Sequence, residues 1–354
     1  MGRQIVSELI IGAGIGGLAA GAACKQNGEN FLICESQPML PRNLNNGVHY
    51  LHTDNLYLPF NFDLKEVKAT EEIWNPRKDE FKKEANLPDM IDYSLKIMKM
   101  RHPSSIMDPG TRKWGVYLPQ DNDMNSLLEA YEKFIGPGNF RYSYALKKID
   151  TAAHIAYFVD LSTNKAEEIS YDFMVTTAPL PAMLQMKESV LERSQMFKSA
   201  PTFITNYKMD NIVPNWMISL YVSDHSFPPH RITALNGILS LESLEELSTD
   251  DEAITYYHLS RYFDYDVNTK TNHTWQSGRI WGLTKEQRTK IVEELLADDI
   301  VPIGRFGLWN GKMQMHSTIN QAEEVVAFIT KNKTSKTKSL LDEEMDKILL
   351  KESF

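Results

Sequence analysis

Six residues near the amino terminus, Gly12-Ala13-Gly14-Ile15-Gly16-Gly17, have the types and spacing that let a backbone close around a phosphate. Gly12 permits a tight turn, Gly14 lets the chain approach a pyrophosphate, and Gly17 lets the next helix pack closely on the preceding strand. A phosphate there would sit on a helix N-terminus, where unpaired N–H groups and the dipole favour negative charge. Glu35 supplies a carboxylate placed to accept hydrogen bonds from ribose hydroxyls. Together these residues point to dinucleotide binding. A second set would act on a substrate. His49 is suited to shuttling a proton near neutral pH or adjusting the electronics of a neighbouring ring. Arg231 and Arg305 carry guanidinium forks that match carboxylate or phosphate, although Arg305 reads equally as a structural ion pair. Trp309 reads as a wall over the site or as core, and His316 completes the set. His52 reads as structural, because the period-two alternation breaks between it and His49. The nine histidines contain no H-x-x-x-H pair, so no metal site is expected.

These residues need elements to hold them. Ile5 to Ile11 reads as a buried parallel strand, Leu18 to about Gln26 as a small-residue helix, and Phe31 to Cys34 as a second strand ending on Glu35. Strand, glycine turn, helix, strand and acid in unbroken order predict a Rossmann-type unit and an α/β chain.

At 354 residues and 42% hydrophobic, the chain can bury a sizeable core, as two domains or as one with an inserted lobe. A formal net charge of −9 gives no whole-protein field for nucleic acid or anionic lipid. Cys24 and Cys34 are the only cysteines, so no disulfide framework is expected and a reducing, cytoplasmic compartment is. The apolar stretch Leu9 to Cys24 imitates a signal peptide. Glu8 at its edge, a lone Arg3 before it and the other use of its glycines argue for the nucleotide unit instead. No other run approaches a membrane span.

Later segments resemble the flavin amine oxidase and UDP-galactopyranose mutase-like group of FAD proteins. Pro38-Met39-Leu40-Pro41-Arg42 is similar to a stretch in which an arginine meets the FAD phosphates, without the glycine pair usual before it. Gly47-Val48-His49-Tyr50-Leu51-His52-Thr53 resembles the segment that sets a Gly-His pair beside the isoalloxazine. Leu146 to Ile149 looks like the strand whose backbone meets the adenine. Tyr171 to Pro179, with Thr177, looks like the strand that re-enters the FAD domain. Ile303-Gly304-Arg305-Phe306-Gly307-Leu308-Trp309, followed by Met313 to Ile319 and a helix to about Thr330, is similar to the C-terminal flavin motif. Amides around Met315 would face the flavin C2 carbonyl and stabilise negative charge there.

The resemblance implies an α/β fold: a Rossmann-type FAD-binding domain on a parallel sheet, with an inserted α+β substrate lobe and non-covalent FAD. The FAD domain would comprise 1–60, 112–185 and 295–330, and the lobe 61–111 and 186–294. Residues 331–354 would form a polar linker and an amphipathic helix. Within the lobe, Leu87, Met90, Ile91, Leu95 and Met98 carry helical patterning, and Pro201 to Tyr207 and Met217 to Val222 read as strands. Trp216 through Arg231-Ile232-Thr233 resembles a family strand pair over the flavin. Leu340, Leu341, Met345, Ile348 and Leu349 form one face of the last helix, expected to dock on the body or on a second copy in a homo-oligomer.

The leading expectation is an FAD-dependent oxidoreductase that takes a hydride from a CH–NH or CH–OH carbon. Its substrate would be a small molecule or a modified nucleotide, one version being an amino-acid-modified nucleobase in phage DNA. The alternative is a non-redox isomerase like UDP-galactopyranose mutase. Against it, His316 stands where that branch has an acid, and Asn310, Gly311 and Lys312 stand where tyrosines would grip a sugar diphosphate. A cofactor-free binding protein, as in the Rab GDP-dissociation inhibitors, is the third class.

Overall fold

The structure is a computed structural model and describes residues 4–98, 115–188, 196–210, 216–333, 340 and 343–350. Arg3, Leu341 and the linker residues 334–338 lie outside the described residues.

Two sheets organise the chain. The first has seven strands. β1 (Gln4–Ile11) is central, with β2 (Phe31–Cys34) and then β6 (Phe140–Arg141) on one side. On its other side lies β9 (Lys165–Thr176), followed by β8 (Ile155–Asp160) and β7 (Tyr144–Asp150). β15 (Ile300–Pro302) also pairs with β9. β9 serves two purposes. Its first half closes an antiparallel meander with β8, and its second half runs parallel to β1 and β15. The β1 run is apolar because both faces of a parallel strand are covered. Its first residues are the exception, and Ile5 is 71% exposed.

The second sheet has eight strands: β14 (Tyr265–Trp281), β10 (Lys198–Met209), β13 (Ile238–Ser243), β12 (Pro229–Leu235), β11 (Trp216–Val222), β3 (Leu64–Asn75) and β4 (Glu80–Lys82) in order, with β5 (Val116–Pro119) also on β3. The span 61–111 was expected to be helical, and it yields α2 (Leu87–Met98) but also β3 and β4. β3 is rich in Lys and Glu and its residues are mostly only half-buried, so its sequence lacks a clean alternation. Parallel pairing to β11 makes it a strand.

The core between the sheets gathers α1 (Ile15–Gln26), α3 (Met124–Ile135) and α8 (Met315–Asn332) with Val67, Met217 and Leu235 of the second sheet. The other face of the first sheet packs on α4 (Leu180–Met186) and α6 (Lys285–Leu296). The outer face of the second sheet packs under α5 (Thr249–Leu259). Two further short α-helices among the described residues are α7 (Gly304–Gly307) and α9 (Glu343–Leu349). Leu340, Met345 and Leu349 are buried in the chain's own core, and Gln321 donates to the Ile348 carbonyl. Of the two partners expected for this apolar face, the body of the chain itself covers Leu340, Met345 and Leu349. No helix among the described residues is long and apolar enough to cross a membrane.

Candidate cofactor and substrate site

The glycine turn forms as its residue types require. Gly12 has φ +96°, and a Cβ there would lie 2.3 Å from the Thr177 hydroxyl, which itself donates to the Ile11 carbonyl. A Cβ on Gly17 would collide with Gly12, whereas one on Gly14 would meet nothing within 4 Å. The space beyond Gly14 is open. Glu35, 8% exposed, folds back onto this turn and accepts the Ala13 N–H at 2.8 Å, while its other oxygen accepts the Gln37 N–H at 2.8 Å. Leu146 follows on β7, which starts where the Tyr144 N–H donates to the Glu35 carbonyl.

A second helix N-terminus meets the first. Gln314 precedes α8 without a side-chain cap, and Gly14 caps α1 no better. α3, α5 and α6, by contrast, are capped by Asp123, Ser248 and Thr284. The Thr318 methyl group joins the two: a Cβ on Gly16 would lie 2.8 Å from it and one on Gly304 3.0 Å. The Gly304 N–H is bound by the Gln321 side chain at 2.9 Å. Ile15, Gly16, Gly304 and Met315 are thereby brought together around two uncapped, positively polarised helix ends.

Arg42 stands apart. It forms an exposed ion pair with Glu129 of α3 at 3.1 Å. Gly47 and Val48 lie on an irregular segment over the second sheet, and a Cβ on Gly47 would press on Ile204. The next residue, His49, stacks on Trp275 with ring centres 5.0 Å apart and planes 18° from parallel. Burial lowers the His49 pKa, with Glu242 opposing and Arg231 assisting the shift. The neutral imidazole is favoured.

Arg231 is brought to this place by a β-bulge. Pro229 faces Ser243, but Arg231 faces Glu242, so His230 and Arg231 together oppose one carboxylate. Arg231 donates to Glu242 through Nε at 2.8 Å and through Nη2, while His230 Nε2 lies 3.8 Å from the second oxygen. The expected anion clamp is thus already engaged by the protein's own carboxylate. Arg305 reaches the Gly278 carbonyl at 3.3 Å, with no ion pair among the described residues, and burial lowers its pKa beside Arg231. His49, Arg231 and Arg305 do come together, around Glu242. Trp309 does not join them. It is 4% exposed, its indole N–H is taken by the Trp281 carbonyl and its edge packs on Phe197, so it belongs to the core rather than to a wall of the site. His316, on the first turn of α8, meets the His52 ring edge-on at 5.6 Å.

Several residues of this region escape sequence reading. A wide bulge in β14 sets Gln276, Ser277 and Gly278 against Pro201 alone, between the pairs Thr202–Trp275 and Ala200–Arg279. Glycine is needed at 278, since a Cβ would lie 2.4 Å from the Thr202 hydroxyl. The bulge opens a cleft lined by Asn43, Asn46, Thr274, Trp275, Gln276, Ser277 and Phe306. A lone tryptophan in the polar run Asn272 to Gly278 was the available signal. Lys96 of α2 is 5% exposed and donates to the carbonyls of Asp224, Phe227 and Pro229 at 2.7, 2.7 and 2.8 Å. It ties α2 to the turn before Arg231. Among the described residues no group of His, Cys, Asp or Glu could hold a metal ion.

No known protein family matches the sequence, and no curated protein matches it. Solved structures do match. Reduced UDP-galactopyranose mutase aligns with a TM-score of 0.68 at 14% identity, over 94% of this chain and 97% of that one. A geranylgeranyl bacteriochlorophyll reductase-like protein from Thermoplasma acidophilum aligns at 0.58 and 12%, over 98% and 83%. A conjugated-linoleic-acid-producing (CLA) fatty acid isomerase from P. acnes aligns at 0.58 and 10%, over 91% and 98%. The α/β, Rossmann-type fold expected from the glycine turn is therefore the fold of this chain, shared across almost its whole length with UDP-galactopyranose mutase.

Proposed function

We propose that the chain is an FAD-dependent oxidoreductase that takes a hydride from a CH–NH or CH–OH carbon. The observation that carries this reading is the meeting of two uncapped helix N-termini, α1 and α8, beside the open space at Gly14. One end suits a pyrophosphate and the other an electron-accepting ring, and the shared fold agrees. Gly12 to Gly17 would hold the phosphates, and Glu35, with acceptor capacity beyond its two backbone bonds, the ribose. Bound FAD supplies the hydride acceptor. His49, kept neutral by burial and backed by Trp275, is placed to hold or take a proton from the substrate heteroatom. α8 would bind the ring end, with the amides near Met315 as donors.

The isomerase reading requires a clamp for a sugar diphosphate. Arg231 is engaged by Glu242, which weighs against it. The structural neighbours do not speak for a modified nucleobase in DNA. The test is anaerobic mixing of the purified yellow protein with candidate amines, alcohols and nucleotide sugars. Bleaching of the flavin by an amine or alcohol, and its recovery with oxygen or another acceptor, is expected. Turnover of a nucleotide sugar without net bleaching would establish the isomerase instead.

A further inference from the structure

We propose that Glu242 is a specificity determinant: a built-in counter-ion that occupies the fork of Arg231, excludes anionic ligands and leaves the adjoining cleft to an uncharged polar group. The inference rests on the site placement proposed above and names the class of ligand that site takes.

The first observation is the direction of the guanidinium donors. Arg231 gives Nε and Nη2 to one oxygen of Glu242, whose side chain is only 13% exposed. Arg279 gives both terminal nitrogens to backbone carbonyls, those of Ile97 and Pro201. Arg305 gives Nη2 to the Gly278 carbonyl. Arg231 and Arg279 are turned onto protein acceptors, and Arg305 gives one terminal nitrogen to a carbonyl. An incoming carboxylate or phosphate at Arg231 would have to displace Glu242, and the Arg231–Glu242 bond is charge-assisted and part-buried.

The second observation is the bulge in β12. It adds a residue to one strand, so that two basic-type side chains, His230 and Arg231, face Glu242. Burial holds the His230 pKa well down, so the carboxylate answers Arg231 rather than a pair of cations. A regular ladder would set His230 alone opposite Glu242 and turn Arg231 to the other face. The pairing is built by backbone geometry and does not depend on a mobile surface contact.

The third observation is the cleft lined by Trp275, the residue on which His49 stacks near Arg231 and Glu242. Its polar side chains are three carboxamides, Asn43, Asn46 and Gln276, and two hydroxyls, Thr274 and Ser277, none of them charged. Each carboxamide offers donors and an acceptor, and each hydroxyl offers both. Trp275 and Phe306 add flat apolar faces. Such a lining matches a neutral group edged with donors and acceptors that lays a face on an indole. A base-like amide edge and a polyol share that chemistry.

The test uses the purified holoprotein and four probes: inorganic phosphate, acetate, thymidine and methyl glucoside. Binding is followed by flavin absorbance, tryptophan fluorescence and thermal shift. Wild type is expected to saturate with thymidine or methyl glucoside, whichever source the cleft suits, and to ignore both anions. Glu242→Gln should gain phosphate affinity by about tenfold or more, because a charge-assisted partner has been removed from Arg231. Glu242→Asp keeps the charge but shortens the reach, folds more safely and should show a smaller gain. The double variant Arg231→Gln/Glu242→Gln should lose the gain and keep the neutral probe. Wild-type binding of phosphate or acetate as tight as in Glu242→Gln would overturn the proposal, as would absence of saturation with both neutral probes. A colourless protein would defeat the FAD reading alone, since fluorescence and thermal shift still report on the cleft.

Discussion

A Cβ placed on Gly17 would lie 1.9 Å from the carbonyl oxygen of Gly12. That contact ties the first turn of α1 to the end of β1 and separates the roles of the glycines. Gly17 is required for folding, whereas Gly14 faces open space. Gly14→Val should therefore give soluble, folded protein without flavin, and Gly17→Val should fail to fold. Flavin content per chain and far-UV circular dichroism check both. A yellow Gly14→Val protein would remove the cofactor from this turn.

His49 and Trp275 form a stacked pair over the second sheet. His49→Ala should keep its FAD, because the nucleotide half is held elsewhere, and should shift the flavin potential or slow turnover by about 10²-fold or more. Potentiometry and single-turnover kinetics are the measurements. An unchanged potential and turnover, with only a lower melting temperature, would make His49 a packing residue.

Lys96 satisfies three backbone carbonyls from inside the protein. Lys96→Met fills much of the same space and removes the ammonium donor from all three carbonyls, leaving Asp224 only the Phe227 N–H, so it should cost about 2–4 kcal/mol in urea unfolding. The loss should include freer movement of the turn at residues 224–229, read as faster hydrogen exchange there. A cost below about 0.5 kcal/mol would mean that water replaces the ammonium without penalty.

Glu8 is buried in β1 beside Lys333, and burial raises its pKa from 4.5 to about 7. Between those values the folded chain holds a proton that the unfolded chain has released. The stabilisation is complete below about pH 4.5 and is lost as pH rises to about 7. Wild type should lose on the order of 1–3 kcal/mol across that window through this group. Glu8→Gln should flatten the profile, since Lys333 keeps Glu29 as its partner. Melting curves in a buffer series test this, and parallel wild-type and variant slopes would dismiss it.

The glycine-turn unit was legible in the sequence because its interactions are local. Gly12, Gly17 and Glu35 act within one strand–turn–helix–strand unit, and β1, α1 and β2 formed close to where their patterns placed them. β9 and α8 were expected from resemblance: Tyr171 to Pro179 covered only the second half of β9, whereas the helix expected to end near Thr330 matches α8 closely. The second sheet was only partly legible. β3 has a charged, poorly alternating sequence and exists through pairing with β11 and β5, partners far away in the chain. Which residue faces Arg231 was decided by the β12 bulge, and which side chains line the cleft by the β14 bulge. Both depend on cross-strand register, a relation between distant segments that local composition does not encode. Trp309 went to the core against Trp281 and Phe197, and Arg42 to an exposed pair with Glu129, through partners distant in the chain. The sequence by itself thus determined the glycine turn, the helix it starts and the strands on either side. The tertiary structure alone decided which charges remain free to meet a substrate, because that depends on which partners the fold brings within hydrogen-bond reach.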